Sequence, residues 1–192
     1  MKQFIFILLA AITLTACSAS SASTTTESTE AAEPVDYDSL LADAELLLKM
    51  RVDVAMSVCA MNNAVWYDAI HEKSRFETRD YVAKTDDKNR IKGYYSFSEA
   101  IANYHASDLF EAGEASLNET ESALKTTMKK LKDAPDEYAD AFEYLLEAYT
   151  ASSSLQEAAL NPTGTYNDYS TNYHRLKEDY DKAMQKMEVF KP

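Results

Sequence analysis

Histidine, methionine with cysteine, and tyrosine are the residue types in this chain that could hold a ligand. His71, His105 and His174 fall in three separate segments of helical spacing, and a helical bundle can gather such side chains around a metal ion. The di-metal carboxylate arrangement needs Glu-x-x-His on two helices. Only Asp68-x-x-His71 approaches it, because Ala102 and Thr171 stand three residues before His105 and His174. Surface or half-buried histidines without a metal are therefore expected. Met56, Cys59 and Met61 lie close together in one segment and Met184 and Met187 in another, a soft donor set of the kind that suits copper(I). The same residues follow the apolar spacing, where methionine fills irregular gaps, so core packing is expected, with Cys59 a buried free thiol. The 13 tyrosines could stack on sugars or peptides, but their helical spacing places most of them at the rim of a narrow core. Tyr94, Tyr95 and Phe97 are the expected exposed aromatics and the expected partner contact.

Reaction chemistry is not legible. There is no Gly-x-Ser-x-Gly, no His-Glu-x-x-His and no phosphate-binding glycine loop, and three glycines leave little room for one. Glu111, Glu114, Glu119 and Glu121 read as a solvated helix face. The expectation is a protein that is not an enzyme, with no catalytic residue, no metal and no cofactor. With 19 Lys and Arg against 32 Asp and Glu, the formal charge is -13. Such a chain makes a poor partner for nucleic acid, where affinity comes chiefly from neutralised phosphates.

The elements that would position these side chains are helices. Three Gly and 4 Pro in 192 residues supply few of the reversals a sheet needs. From Leu40 to Ala69 the apolar residues recur at three and four, the face of an amphipathic helix, continuing more weakly from Phe76 to Tyr81. The charged stretch Lys84–Arg90 reads as a hairpin tip. A second helix is expected from Ser96 or Ser98 to Leu131, with lysines in its last turn that suit the helix dipole. Pro135 opens a third. Asn161-Pro162-Thr163-Gly164 stops it, and Thr165 with Asp168 caps a fourth whose Tyr166, Tyr169, Tyr173, Leu176, Tyr180, Ala183, Met187 and Phe190 form a heptad. The fold class is all-α, an elongated antiparallel bundle of about four helices over residues 37–192. At about 1.5 Å per residue the first hairpin should run to about 60 Å and the second to about 38 Å, leaving residues 76–98 overhanging. That overhang is expected to dimerise, to fold back as a short helix, or to present a binding surface.

Residues 1–16 have the form of a secretory signal peptide: Lys2, then the apolar run Phe4–Ile12, then small residues. Leu14-Thr15-Ala16-Cys17 resembles the lipobox of bacterial lipoproteins. The resemblance implies lipidation of Cys17, with Leu14 and Ala16 recognised by the signal peptidase. Cleavage before Cys17 leaves 18 Lys and Arg against 32 Asp and Glu, or -14, so attachment must be hydrophobic, and two or more acyl chains hold a protein stably where one does not. Residues 17–36 then form a lipidated cysteine and a Ser/Thr/Glu tether too polar to fold, spanning about 25 Å as a coil and about 65 Å at full stretch. This tether is similar to those of Gram-positive lipoproteins. The closing hairpin Leu160–Tyr166 resembles that of small uncharacterised helical lipoproteins from Gram-positive bacteria. Together these readings give a membrane-anchored, extracytoplasmic binding or scaffold module at the cell surface. Its expected partners are the membrane, through the lipid, and either another protein or its own copies. The alternatives are a small-ligand or metal-binding module using the bundle interior, or a phage-derived exclusion lipoprotein.

Overall fold

The computed structural model describes residues 35–191; Leu14, Ala16 and Cys17 lie outside the described residues. The fold is all-α apart from one small β-hairpin. Four long helices, α1 (Tyr37–Ile70), α4 (Asp108–Leu131), α5 (Ala139–Leu160) and α6 (Tyr166–Val189), make an up-down-up-down bundle. Cross-helix bonds fix their directions. Near the start of α1, Tyr37 donates to the Asp133 carbonyl after α4, Asp38 accepts from Tyr138 before α5, and Glu45 pairs with Lys191 after α6. Further along α1, Asn62 meets Ala159 late in α5 and Tyr169 early in α6.

Local sequence chemistry sets the helix ends. Asp36 caps α1 by accepting from the Ser39 N–H, and Thr165 caps α6 by accepting from Asp168 N–H, each satisfying a donor the first turn leaves free. Gly164, at φ 90, takes the left-handed conformation that turns α5 into α6 and that a side chain would strain. The heptad of α6 faces inward, with Tyr169, Tyr173, Leu176, Tyr180, Ala183 and Met187 all buried. Leu48, Val52, Val65, Leu117, Leu124, Leu145 and Leu155 fill the interior with 1% or less of their surface exposed, each worth about 1.5–3 kcal/mol by removal from water.

The segment between α1 and α4 departs from the expected straight hairpin. Helix α1 ends at Ile70, and Glu72 turns the chain at φ 51. The weak periodicity from Phe76 to Tyr81 yields only the four-residue α2 (Arg79–Val82). Residues 84–90 are the tip of a hairpin, but of an antiparallel β-hairpin, β1 (Ala83–Thr85) with β2 (Ile91–Tyr94), with Ala83 opposite Tyr94 and a bulge between Lys84 and Thr85. Asp86 builds its turn: the carboxylate accepts from Lys88 N–H and Arg90 N–H and pairs with the Arg90 guanidinium, an Asx turn. The single second helix is two. α3 (Phe97–His105) opens on a capping box between Ser96 and Glu99, and the chain breaks at Ala106–Ser107. Ser107 Oγ there donates to the Tyr104 carbonyl and accepts from Phe110 N–H. The overhang therefore folds back, and α3 packs on the far end of α1. With 34 residues α1 is about 51 Å long, against about 36 Å for the 24-residue α4 and α6. Among the described residues no helix is long and apolar enough to cross a membrane.

Candidate functional site at the distal cap

The residues left over by a plain four-helix bundle, 71–107, cap its distal end, opposite the end at which residue 35 enters. Trp66, 3% exposed, is the floor of this cap. Phe97 stacks on its indole at 4.3 Å and Tyr169 lies against it at 5.6 Å. Tyr95 donates its backbone N–H to the Val82 carbonyl, and its ring lies 5.0 Å from Lys84 Nζ. The expectation that Tyr94, Tyr95 and Phe97 are exposed is corrected, because the fold-back of α3 leaves all three half-buried against the core. The exposed phenylalanine of the cap is Phe76, at 95%. The expectation that the first apolar stripe continues through Phe76 is corrected with it: Glu72, Lys73, Arg79 and Asp80 stand three and four residues away, and that polar spacing was the available signal.

Asp68 holds the loop that carries Phe76. Its side chain is wholly buried and accepts two bonds from Arg75 Nε, at 3.1 and 2.9 Å, and one from Thr78 Oγ1 at 2.5 Å. Burial pushes this carboxyl up; the hydrogen bonds from Arg75 and Thr78 and the Arg75 charge outweigh it and hold the group below the ordinary carboxylate value. Residues 75 and 78, on either side of Phe76, are thus clamped to α1. The Asp68-x-x-His71 pair is not a metal half-site. Asp68 is taken up by Arg75 and Thr78, and His71 lies exposed against the Tyr67 ring at 4.3 Å.

Asn62 ties the cap to the bundle. Its amide donates to the Ala159 carbonyl at 2.8 Å and to Tyr169 Oη at 3.2 Å, and its Oδ1 lies 2.9 Å from His105 Nε2. One fully buried side chain therefore joins α1, α3, α5 and α6. His105 also stacks on Phe110 at 3.9 Å, and burial lowers its pKa below the usual histidine value. Cys59 is a free thiol with none of its surface exposed, pushed up to about 11 by burial. Met187 is buried with it, and Met56, Met61 and Met184 pack half-buried on the core. This matches the core-packing expectation. His174 lies exposed on α6, and among the described residues no three His, Cys, Asp or Glu side chains gather as metal ligands.

A second polar cluster, not anticipated from sequence, crosses the bundle midway along α1. Arg51, 2% exposed, pairs with Glu121 at 2.5 Å and donates to Gln156, Ser152 and Ser153. Tyr149 Oη donates to Glu121 at 2.8 Å. Burial lowers the Arg51 pKa and the Glu121 charge partly offsets this. Every partner comes from the bundle itself, so the cluster aligns α1, α4 and α5 and leaves no group free for a ligand.

An open cleft of about 680 Å³ runs between α5 and α6, lined by Ser153, Asn161, Asn172 and Arg175. Arg175 donates to Asp179 and Asn172 of its own helix. A smaller groove of about 490 Å³ between α1 and α6 is lined by Ala42, Leu46, Tyr180 and Met184. The chain matches no protein-family model, no curated protein and no solved structure.

Proposed function

We propose that this chain is a bacterial lipoprotein: a helical module anchored at the extracytoplasmic face of the cell membrane through Cys17, acting by binding or scaffolding rather than by catalysis. The observation that carries the reading is Leu14-Thr15-Ala16-Cys17 at the end of the apolar run Phe4–Ile12. Lipidation accounts for how an acidic chain would be held at a membrane. The fold supports the binding half of the reading. The Arg51 and Asn62 side chains are taken up by partners within the bundle, and the segment inserted between α1 and α4 is spent on a cap that presents side chains outward.

The test replaces Cys17 with Ser in the full chain expressed in a Gram-positive host. Loss of radiolabelled palmitate incorporation and loss of the protein from the membrane fraction are expected. Unchanged labelling would overturn the anchor.

A further inference from the structure

We infer that the distal cap pairs with the cap of a second copy of this chain, across a two-fold axis that covers Phe76; the inference names a partner within the scaffold reading above and rests on it. Phe76 is 95% exposed. A lone apolar side chain at a surface needs no explanation, but this one is braced. Arg75 and Thr78, on either side of it, both bond to the wholly buried Asp68 side chain, and Arg75 reaches further back to the Ala64 carbonyl of α1. The ring is held in water by a built support.

Charge selects what would cover it. Residues 71–107 together with Asp68 hold seven Lys and Arg and seven Asp and Glu, whereas the other described residues hold eleven and twenty-two. The cap is a neutral end on a negative molecule. Two copies that approach through their shafts oppose like charge, and two that approach cap to cap do not. The shafts then point apart, and their repulsion is screened beyond about 8 Å at physiological ionic strength. A polyanion, a polycation or an anionic membrane would meet as many like charges in the cap as opposite ones.

The order of the charges suits a two-fold contact. Glu72 precedes Lys73 and Asp87 precedes Lys88; all four are exposed, and among the described residues none is in an ion pair. Arg79 donates to the Asn89 carbonyl and so ties the hairpin tip bearing Asp87 and Lys88 to the segment bearing Phe76. A two-fold axis reverses the chain in the partner. Glu72 then meets the partner's Lys73 while Lys73 meets the partner's Glu72, the reciprocity of an isologous contact. One ring and a few ions a side cover little beside the roughly 1,200 Å² buried in a stable complex. The pair is therefore weak and forms at high protein concentration.

Sedimentation equilibrium of residues 18–192, which contain the whole described fold, tests the pairing up to about 1 mM protein. The average mass should climb from that of a monomer towards twice that value as concentration rises. Phe76→Ser, which leaves the Asp68 clamp in place, should stay monomeric. So should an acidic cap made by Lys73→Glu with Lys88→Glu, and a basic cap made by Glu72→Lys with Asp87→Lys. Mixing the acidic and basic variants should restore pairing, at least about tenfold tighter than either variant shows with itself. A parent that stays monomeric overturns the inference and leaves Phe76 to a partner of different sequence. Pairing undiminished in Phe76→Ser, or charge variants that stay apart when mixed, also overturns it. Neither lipid nor Cys17 is present, so failure here is distinct from failure of the anchor.

Discussion

His105 shows how one side chain joins sequence to folding. Asn62 uses its amide protons on the Ala159 carbonyl and Tyr169, so its Oδ1 is left to accept, and His105 Nε2 must donate. The neutral Nε2–H tautomer does this, and burial disfavours the imidazolium, lowering the folded-state pKa. In the unfolded chain the same ring takes up its proton near pH 6.5. The contribution to stability is therefore complete above about pH 6.5 and is lost as pH falls from there through the lowered folded value. The urea midpoint should drop between pH 7.5 and pH 5. His105→Gln, which keeps a donor but cannot titrate, should flatten the drop; an equal drop in both proteins would contradict the assignment. The histidine was visible in the sequence, but its partner was not, because Asn62 lies 43 residues away on a face that spacing alone reads as apolar.

Among the elements, α6 was the most legible and the α3–α4 break the least. Tyr169 to Met187 alternate at three and four without interruption, and that regularity is the burial pattern found. Around Ser107 the spacing misleads: Tyr104 and Leu109 suggest one continuous stripe, yet the break resets the phase, burying Phe110 and leaving Leu109 44% exposed. Ser107 as a cap was the available signal. Strands of three and four residues are too short for alternation to register, so the hairpin was readable only through the turn chemistry of Asp86 and Asn89. The Arg51 cluster escaped notice because a lone arginine in an apolar stripe gives no hint of four partners on two other helices. It sets the alignment of α1 with α4 and α5, so its removal should be felt between elements. Arg51→Ala, which takes from Glu121 its partner inside the bundle and from Gln156, Ser152 and Ser153 the donor they accept from, should cost about 3 kcal/mol in urea unfolding. Arg51→Met with Glu121→Leu should fall within about 1 kcal/mol of the parent. If the double variant loses more than the single, the cluster contributes net stability rather than alignment.

At the scale of the whole molecule, the described residues divide into an acidic four-helix shaft and a cap at its distal end, residues 71–107. The shaft was legible from composition and periodicity, since scarce glycine and a three-four apolar spacing admit few folds other than a bundle. The cap was not, because folding back depends on contacts such as Trp66 with Phe97 between segments 31 residues apart. Phe97 was singled out as a surface residue and is instead covered by the tryptophan that anchors the cap. The central claim is that Cys17 becomes the lipidated first residue of the mature protein, with the bundle displayed outside the membrane. The intact mass of the protein extracted from membranes by detergent tests it most directly. The account predicts a chain beginning at Cys17 and heavier than its sequence by a diacylglyceryl group or more; a mature chain beginning elsewhere, or one of unmodified mass, would contradict it.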